Sequence, residues 1–252
     1  MTRFSVMSAN LRFGRADDGP NGWAFRRESL LAIFLKYAPD FLAVQEANDF
    51  QADYLIHHLA EYNFIGLREN APVFWQNNMI FFKTPWRMVD RMHFFLSDTP
   101  SEPSKWKDSK WPRQCTMGRF TRADTTLTVV NTHFDFLQRV QVRSAKMILE
   151  KLNDFTPNST VLLTGDFNAP PDGKARKVFE KQGGFSDAFD GRFGGTHHGF
   201  TGRPVSDRID WILYKGLLRP YRPTRKIIRE RPGGIFPSDH FQVYSEFRRI
   251  PD

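Results

Sequence analysis

Several short stretches set groups able to bind a cation or a phosphate at the ends of apolar runs. Residues 161–171 read VLLTGDFNAPP, a strand-like run that breaks into Gly165, Asp166, Phe167 and Asn168 before two prolines. Asn10 closes FSVMSAN, Glu46 closes FLAVQE, and LTVVNTHFDF carries Asn131, His133 and Asp135 at alternate positions. Asp210 sits between Ile209 and Trp211, and Ser238, Asp239 and His240 precede the last apolar run. Side chains alternate along an extended strand, so Asn131, His133 and Asp135 are expected on one face, and Asp166 with Asn168 on another. Singly, a strand-end Asn or Asp is an ordinary turn former. Asp210, among apolar neighbours, needs a partner if it is buried. Jointly the residues repeat one chemistry. Carboxylates without cysteines suit a hard cation such as Mg2+ or Mn2+, and a Mg2+ held by one or two carboxylates keeps positions for a substrate phosphate. Imidazoles and amides are then free to donate to phosphate oxygens as negative charge builds.

The elements that must position these groups follow from hydrophobic period. Strands are expected at 4–10, 41–46, 77–83, 87–95, 116–122, 127–136, 160–165, 208–214, about 224–229 and 241–247. Helices are expected from 23 to the residue before Pro39, over about 50–60, over 137–152 and over 173–182. The stretch 97–113, with Pro100, Pro103 and Pro112, reads as irregular. Strands outnumber helices and several are covered on one face only. This points to two packed sheets flanked by helices and not to a purely parallel doubly wound sheet.

The chain has 252 residues, 40% hydrophobic and 15% aromatic, with no linker or repeat, and is read as one domain spanning 1–252. No apolar run approaches the ~18 residues of a membrane span, and the N-terminus does not read as a signal peptide. A single cysteine, Cys115, excludes an internal disulfide and a cysteine-based zinc cluster. These features predict a soluble, cytoplasmic protein. Dinucleotide-binding, P-loop, nucleophile-elbow and zincin motifs are absent.

The net charge is +8, concentrated in two places. RPYRPTRKIIRER (219–231) carries six basic residues against Glu230, and SKWKDSKWPR (104–113) interleaves Lys105, Lys107, Lys110 and Arg113 with Trp106 and Trp111. Such stretches suit a polyanion or a phosphate-rich substrate, or else form a solvated loop anchored by two tryptophans. Phe74, Trp75, Phe94 and Phe95 would form a lipid-docking patch if exposed.

SANLRFG, VQEAND, NTHFDF, TGDFNAPP, GTHHGFTG, RIDWILY and SDHFQVY occur in the order and approximate spacing of the endonuclease/exonuclease/phosphatase superfamily. The chain resembles that group from Asn10 to His240. It includes pancreatic-type deoxyribonuclease, abasic-site endonucleases, deadenylases, inositol-polyphosphate phosphatases and neutral sphingomyelinases. The resemblance implies a four-layer α/β/β/α sandwich and Mg2+- or Mn2+-dependent phosphoester hydrolysis. Nucleic acid is the expected substrate; a small or lipid phosphoester is the alternative. By the same resemblance Glu46 is the principal metal ligand, with Asn10 beside it and Asp239 as a further metal-site carboxylate. Asp166 handles the attacking water. His133, Asn168 and His240 face the phosphate, and Asp210 orients His240. Asp239 and His240 are neighbours, so both reach the site only if the chain turns there, which Pro237 favours. Asp135, Arg143 and His198 resemble positions in bacterial and deadenylase-like branches. Arg143 either supports the site or bridges to a carboxylate, and His198 either approaches the leaving group or braces its loop.

Overall fold

The computed structural model describes residues 3–68, 75–157, 159–190 and 194–251. Its strands are β1 (Arg3–Asn10), β2 (Phe41–Ala47), β3 (Tyr62–Ile65), β4 (Asn77–Lys83), β5 (Arg87–Phe95), β6 (Gln114–Arg122), β7 (Thr125–His133), β8 (Val161–Asp166), β9 (Ser186–Asp187), β10 (Asp210–Lys215), β11 (Leu218–Pro220), β12 (Lys226–Ile228) and β13 (Gln242–Arg249). The helices are α1 (Trp23–Tyr37), α2 (Asp49–His58), α3 (Gln138–Phe155) and α4 (Lys174–Gly183).

One sheet runs β11-β13-β1-β2-β4-β3, with β12 also on β13; the other runs β5-β6-β7-β8-β10-β9. In each, one parallel pair lies among antiparallel neighbours: β1 with β2, and β7 with β8. Three apolar layers separate the elements. Phe4, Val6, Phe41, Leu127, Val129, Leu162, Ile212 and Val243 fill the space between the sheets. Leu30, Ile33 and Phe34 of α1 and Leu55 of α2 pack against Met7, Leu42 and Phe81 on the outer face of the first sheet. Val140, Ile148 and Leu152 of α3, with Phe179 of α4, cover Met117, Val130 and Leu163 of the second. The architecture is therefore an α/β/β/α sandwich of two packed mixed sheets flanked by helices.

The alternation that fills the inter-sheet layer also places polar groups at one end of it. Phe4 and Val6 face inward, and so does Asn10 two pairs further along β1. Leu127 and Val129 lead to Asn131 and His133 on β7, Leu162 to Asp166 on β8, and Ile212 back to Asp210 on β10. Because β1, β2, β7 and β8 end there and the antiparallel β10 begins there, one pole of the sandwich collects these groups.

Some expected boundaries move. β7 ends at His133, so Asp135 leaves the extended face. The stretch near 224–229 is a 3-10 turn at Arg222–Thr224 followed by a three-residue strand. The short strands β3, β9 and β11 leave no signal in the sequence: they hold four, two and three residues, too few for a period to register. Trp75, Phe94 and Phe95 are buried, so they present no lipid-docking patch, and Phe74 lies outside the described residues. Among the described residues no helix is long and apolar enough to cross a membrane.

Gly165, one residue before the end of β8, adopts φ +150°, and a Cβ there would stand 2.1 Å from the Thr132 carbonyl oxygen of β7. Gly165→Ala must therefore prise apart the strands that carry His133 and Asp166. It is expected to lower the unfolding free energy by about 2–4 kcal/mol, measured by urea denaturation.

Candidate active site

Glu46 reaches the pole of the sandwich by breaking alternation. Leu42 and Val44 point outward to α1 and α2, and a regular strand would send Glu46 the same way. The β2–β4 register instead shifts between Val44 and Ala47, and Glu46 takes φ +62°. This bulge re-aims its carboxylate inward. Asn10 Nδ2 donates to Glu46 Oε1 (3.1 Å) and to Asp166 Oδ2 (2.9 Å), and the Phe13 amide donates to Glu46 Oε2 (2.6 Å).

Asn168 also arrives by a turn and not by period two. β8 stops at Asp166, Asn168 takes φ +47°, and its amide donates to Asp166 Oδ1 (2.9 Å). Its side chain donates to the Phe134 carbonyl (2.9 Å) and lies 3.1 Å from His133 Nε2. His133 Nε2 is 3.5 Å from Asp166 Oδ2 and 3.9 Å from Glu46 Oε1. On its other side Arg113 Nη1 lies 2.9 Å from His133 Nδ1. His240 Nδ1 sits 2.9 Å from Asp210 Oδ2, and its Nε2 is 3.9 Å from Asp166 Oδ2. The chain turns at Ser238–His240 before β13 begins at Gln242, so Asp239 reaches the same pole, 3.6 Å from Arg12 Nη1 and 3.9 Å from His197 Nε2.

Eight sequence candidates thus form one connected cluster: Asn10, Glu46, His133, Asp166, Asn168, Asp210, Asp239 and His240. Burial and the neighbouring Asp210 raise the Asp166 carboxyl to about 7, against the opposing effect of His240. Burial disfavours charge on His240, but Asp210, Asp166 and Asp239 outweigh it and push the imidazole well above its ordinary range. Burial, Arg113 and His240 push His133 the other way, well below it.

The other candidates lie elsewhere. Asp135 accepts from Ser109 Oγ (2.6 Å) and from the amides of Lys110 and Leu137, tying the 104–113 loop to the start of α3. Trp106 is buried with Nε1 on Ser144 Oγ, and Arg143 stacks on its ring, so this pair braces the loop against α3. Trp111 is exposed beside Lys110. The His198 ring is buried 4.0 Å from that of Phe241 and accepts from the Gly202 amide, so it braces its loop. Its neighbour His197, bridged to His240 with rings 4.8 Å apart, is the one that faces the cluster.

Sequence reasoning missed Arg12, Arg26 and His197, and it read Arg113 only as one of the basic residues of the 104–113 stretch and not as a partner of His133. Arg26, on α1, is fully buried and donates to the carbonyls of Leu11, Arg12, Asn21 and Pro237, pinning the loop after β1 to the turn before β13. Arg12, with φ +59°, pairs with Asp18 and lies beside Asp239. An arginine three positions into an amphipathic helix carries no signal of this kind, and no period marks the others.

The donors fit a hard divalent cation. They are carboxylate and amide oxygens with imidazoles and no sulfur, and Asp210 Oδ1 is buried without a hydrogen-bond partner. Ligand atoms of His197, Asp239 and His240, and of Asp166, Asp210 and His240, fall within 4.8 Å of one another.

Residues 7–240 match the Endonuclease/Exonuclease/phosphatase family. No curated protein matches the chain. Among solved structures, an endonuclease/exonuclease/phosphatase family protein from Bacteroides thetaiotaomicron superposes with a TM-score of 0.88 at 27% identity, covering 98% of this chain and 95% of that one. A mannosyl-6-phosphatase of the same organism gives 0.87 at 28% identity, covering 97% and 99%. TDP2 from D. rerio, complexed with a single-strand DNA product, gives 0.76 at 16%, covering 98% and 100%, a likeness of fold alone.

Burial and nearby cations pull the His198 imidazole down to about 4, although Asp239 opposes this. The folded state keeps it neutral where the unfolded chain, with its ordinary value near 6.5, takes up a proton. Stability from this residue is therefore complete above about pH 6.5 and drains away as the pH falls towards 4. His198→Gln is expected to lose less unfolding free energy than wild type between pH 7 and pH 4.5 in parallel urea titrations.

Proposed function

The chain belongs to the endonuclease/exonuclease/phosphatase family, and from that premise we propose that it is a divalent-metal-dependent hydrolase of a compact, soluble phosphoester. The observation that carries the chemistry is the convergence of four carboxylates with donors of hydrogen bonds on one pole of the sandwich. Glu46 and Asp239, with the Asn10 amide oxygen, would hold Mg2+ or Mn2+, which when bound polarises the phosphate and neutralises its charge. Asp166, whose proton affinity is raised towards neutrality, orients water and accepts its proton. His133 and Asn168, side by side at 3.1 Å, donate to the non-bridging oxygens. His240, kept protonated by Asp210, supplies positive charge and a further donor from Nε2.

The substrate class rests on where the basic residues go. In the 219–231 stretch Arg222 and Arg225 both pair with Asp190, Lys226 stacks on Tyr37, and Arg229 and Arg231 lie on Phe241 and Phe236. Asp190 offsets part of that charge, and the ring contacts hold Lys226, Arg229 and Arg231 down against the protein's own surface, an arrangement less suited to a continuous track for a nucleic-acid backbone. A relative at 28% identity is named a mannosyl-6-phosphatase, which favours a small phosphoester such as a sugar phosphate. A nucleic-acid strand is the second reading, favoured by exposed Lys110 and Trp111 on the loop that ends in Arg113.

A panel of sugar phosphates, nucleotides, phosphoinositides, single-stranded DNA and RNA, assayed with Mg2+ or Mn2+, tests both readings. Turnover is expected on a sugar phosphate, lost in chelator and restored by metal. Asp166→Ala is expected to reduce kcat roughly 10²–10⁴-fold with an unchanged circular-dichroism spectrum. Wild-type turnover by that variant would remove Asp166 from the mechanism. Cleavage confined to DNA or RNA, falling steeply with salt, would transfer the assignment to the second reading.

A further inference from the structure

Two imidazoles of the site are held by supports of opposite charge. His240 Nδ1 faces the Asp210 carboxylate and His133 Nδ1 faces the Arg113 guanidinium, each at 2.9 Å. A carboxylate only accepts, so His240 must carry a proton on Nδ1. A guanidinium only donates, so Arg113 calls for a lone pair on His133 Nδ1. The Asn168 amide nitrogen, also a donor, stands 3.1 Å from Nε2, but it has the Phe134 carbonyl (2.9 Å) as its acceptor, and the charged Arg113 is the closer and stronger donor to the ring. We propose that Arg113 is a positioning residue that fixes His133 as the neutral tautomer with its proton on Nε2. In this role His133 is a standing hydrogen-bond donor and carries no proton between reactants through Nδ1.

The surroundings hold the pair in this state. Both side chains are buried, Arg113 at 6% and His133 at 3% exposure, so water does not compete for either group. Arg113 directly precedes β6, whose Gln114 lies opposite β7 just beside His133, with Cys115 paired to Thr132. The Leu96 amide binds the Arg113 carbonyl (2.8 Å), and the guanidinium lies over the Phe136 ring. These contacts leave the arginine little freedom to withdraw. On the far side of the imidazole, Nε2 faces Asp166 Oδ2 (3.5 Å) and Glu46 Oε1 (3.9 Å), and the Asn168 amide nitrogen lies 3.1 Å away. With the proton on Nε2, His133 and Asn168 are both N–H donors at the same pole and make no hydrogen bond to each other, the Asn168 amide keeping one N–H on the Phe134 carbonyl (2.9 Å). The target of those donors, a phosphate oxygen, rests on the function proposed above; the tautomer does not.

The test is long-range 1H–15N correlation spectroscopy of the 15N-labelled, metal-free full chain at pH 7.5, with the His133 signals assigned by their loss in His133→Gln. The expected result is the Nε2–H pattern for His133 in wild type, retained in Arg113→Gln, whose amide can still donate, and lost in Arg113→Met. With Mg2+ and a substrate identified from the panel, Arg113→Met is expected to lower kcat roughly 10–100-fold with little change in KM, and Arg113→Gln to recover most of it. A wild-type His133 protonated on Nδ1, alone or together with Nε2, would overturn the proposal. So would an Arg113→Met variant with wild-type kcat, whatever its spectrum. Should Arg113→Met not fold, the wild-type and Arg113→Gln spectra decide. An Nε2–H pattern in a protein that turns over no phosphoester would sustain the tautomer and sink the proposed function instead.

Discussion

Four carboxylates gathered within one buried pole would repel one another strongly, and the structure there is organised around that repulsion. Glu46, Asp166, Asp210 and Asp239 arrive on four separate segments, and each is met by a donor or a cation. Asn10 bridges Glu46 and Asp166 with one amide nitrogen. His240 stands between Asp210 and Asp166, Arg12 beside Asp239, and Arg113 behind His133. The compensation is incomplete, as the raised Asp166 and the unpartnered Asp210 Oδ1 both record. Residual negative potential of this kind favours a divalent cation and gives a carboxylate the proton affinity that water activation uses.

The same pole explains why the backbone departs from regular geometry where it does. Arg12, Glu46 and Asn168 all adopt positive φ without being glycine, a conformation that costs free energy unless its surroundings over-determine it. Each lies at a strand end that feeds the cluster. Glu46 shows the use most directly, since only the bulge in β2 turns it from the α1/α2 face to the inter-sheet pole. Arg26 adds a scaffold from outside, four carbonyl contacts that join the loop after β1 to the turn at Pro237. Deeper in, Asn131 ties the sheets together by donating to the Val44 and Met79 carbonyls (2.8 Å each) and accepting from Gln45. A polar clamp between sheets fixes the separation on which the distances of the site depend.

Basic and aromatic residues that read alike in the sequence divide into different roles once folded. Trp106 and Arg143 brace a loop against α3, while Arg113 at the end of that loop enters the site. His197 and His198 are adjacent, yet one ring is sealed against Phe241 and the other faces Asp239. Neighbouring residues on a turning chain point in unrelated directions, so identity and position do not predict which of them is used.

What the sequence determined by itself is the alternation and the chemistry. Apolar residues at every second position defined most of the strands and led to Asn10, His133, Asp166 and Asp210 at one end of the inter-sheet layer, because side-chain direction along a strand is a local property. Residue type alone pointed to a hard cation and a phosphate. Tertiary structure decided whatever depends on leaving that regularity or on distant partners. It bent Glu46 and Asn168 inward through positive φ, sent Asp135 to cap a loop, and chose His197 over His198. It also set Arg113 behind His133 and Asp210 behind His240. Those choices are made by contacts between segments far apart in the chain, and a contact between segments leaves no period in either one.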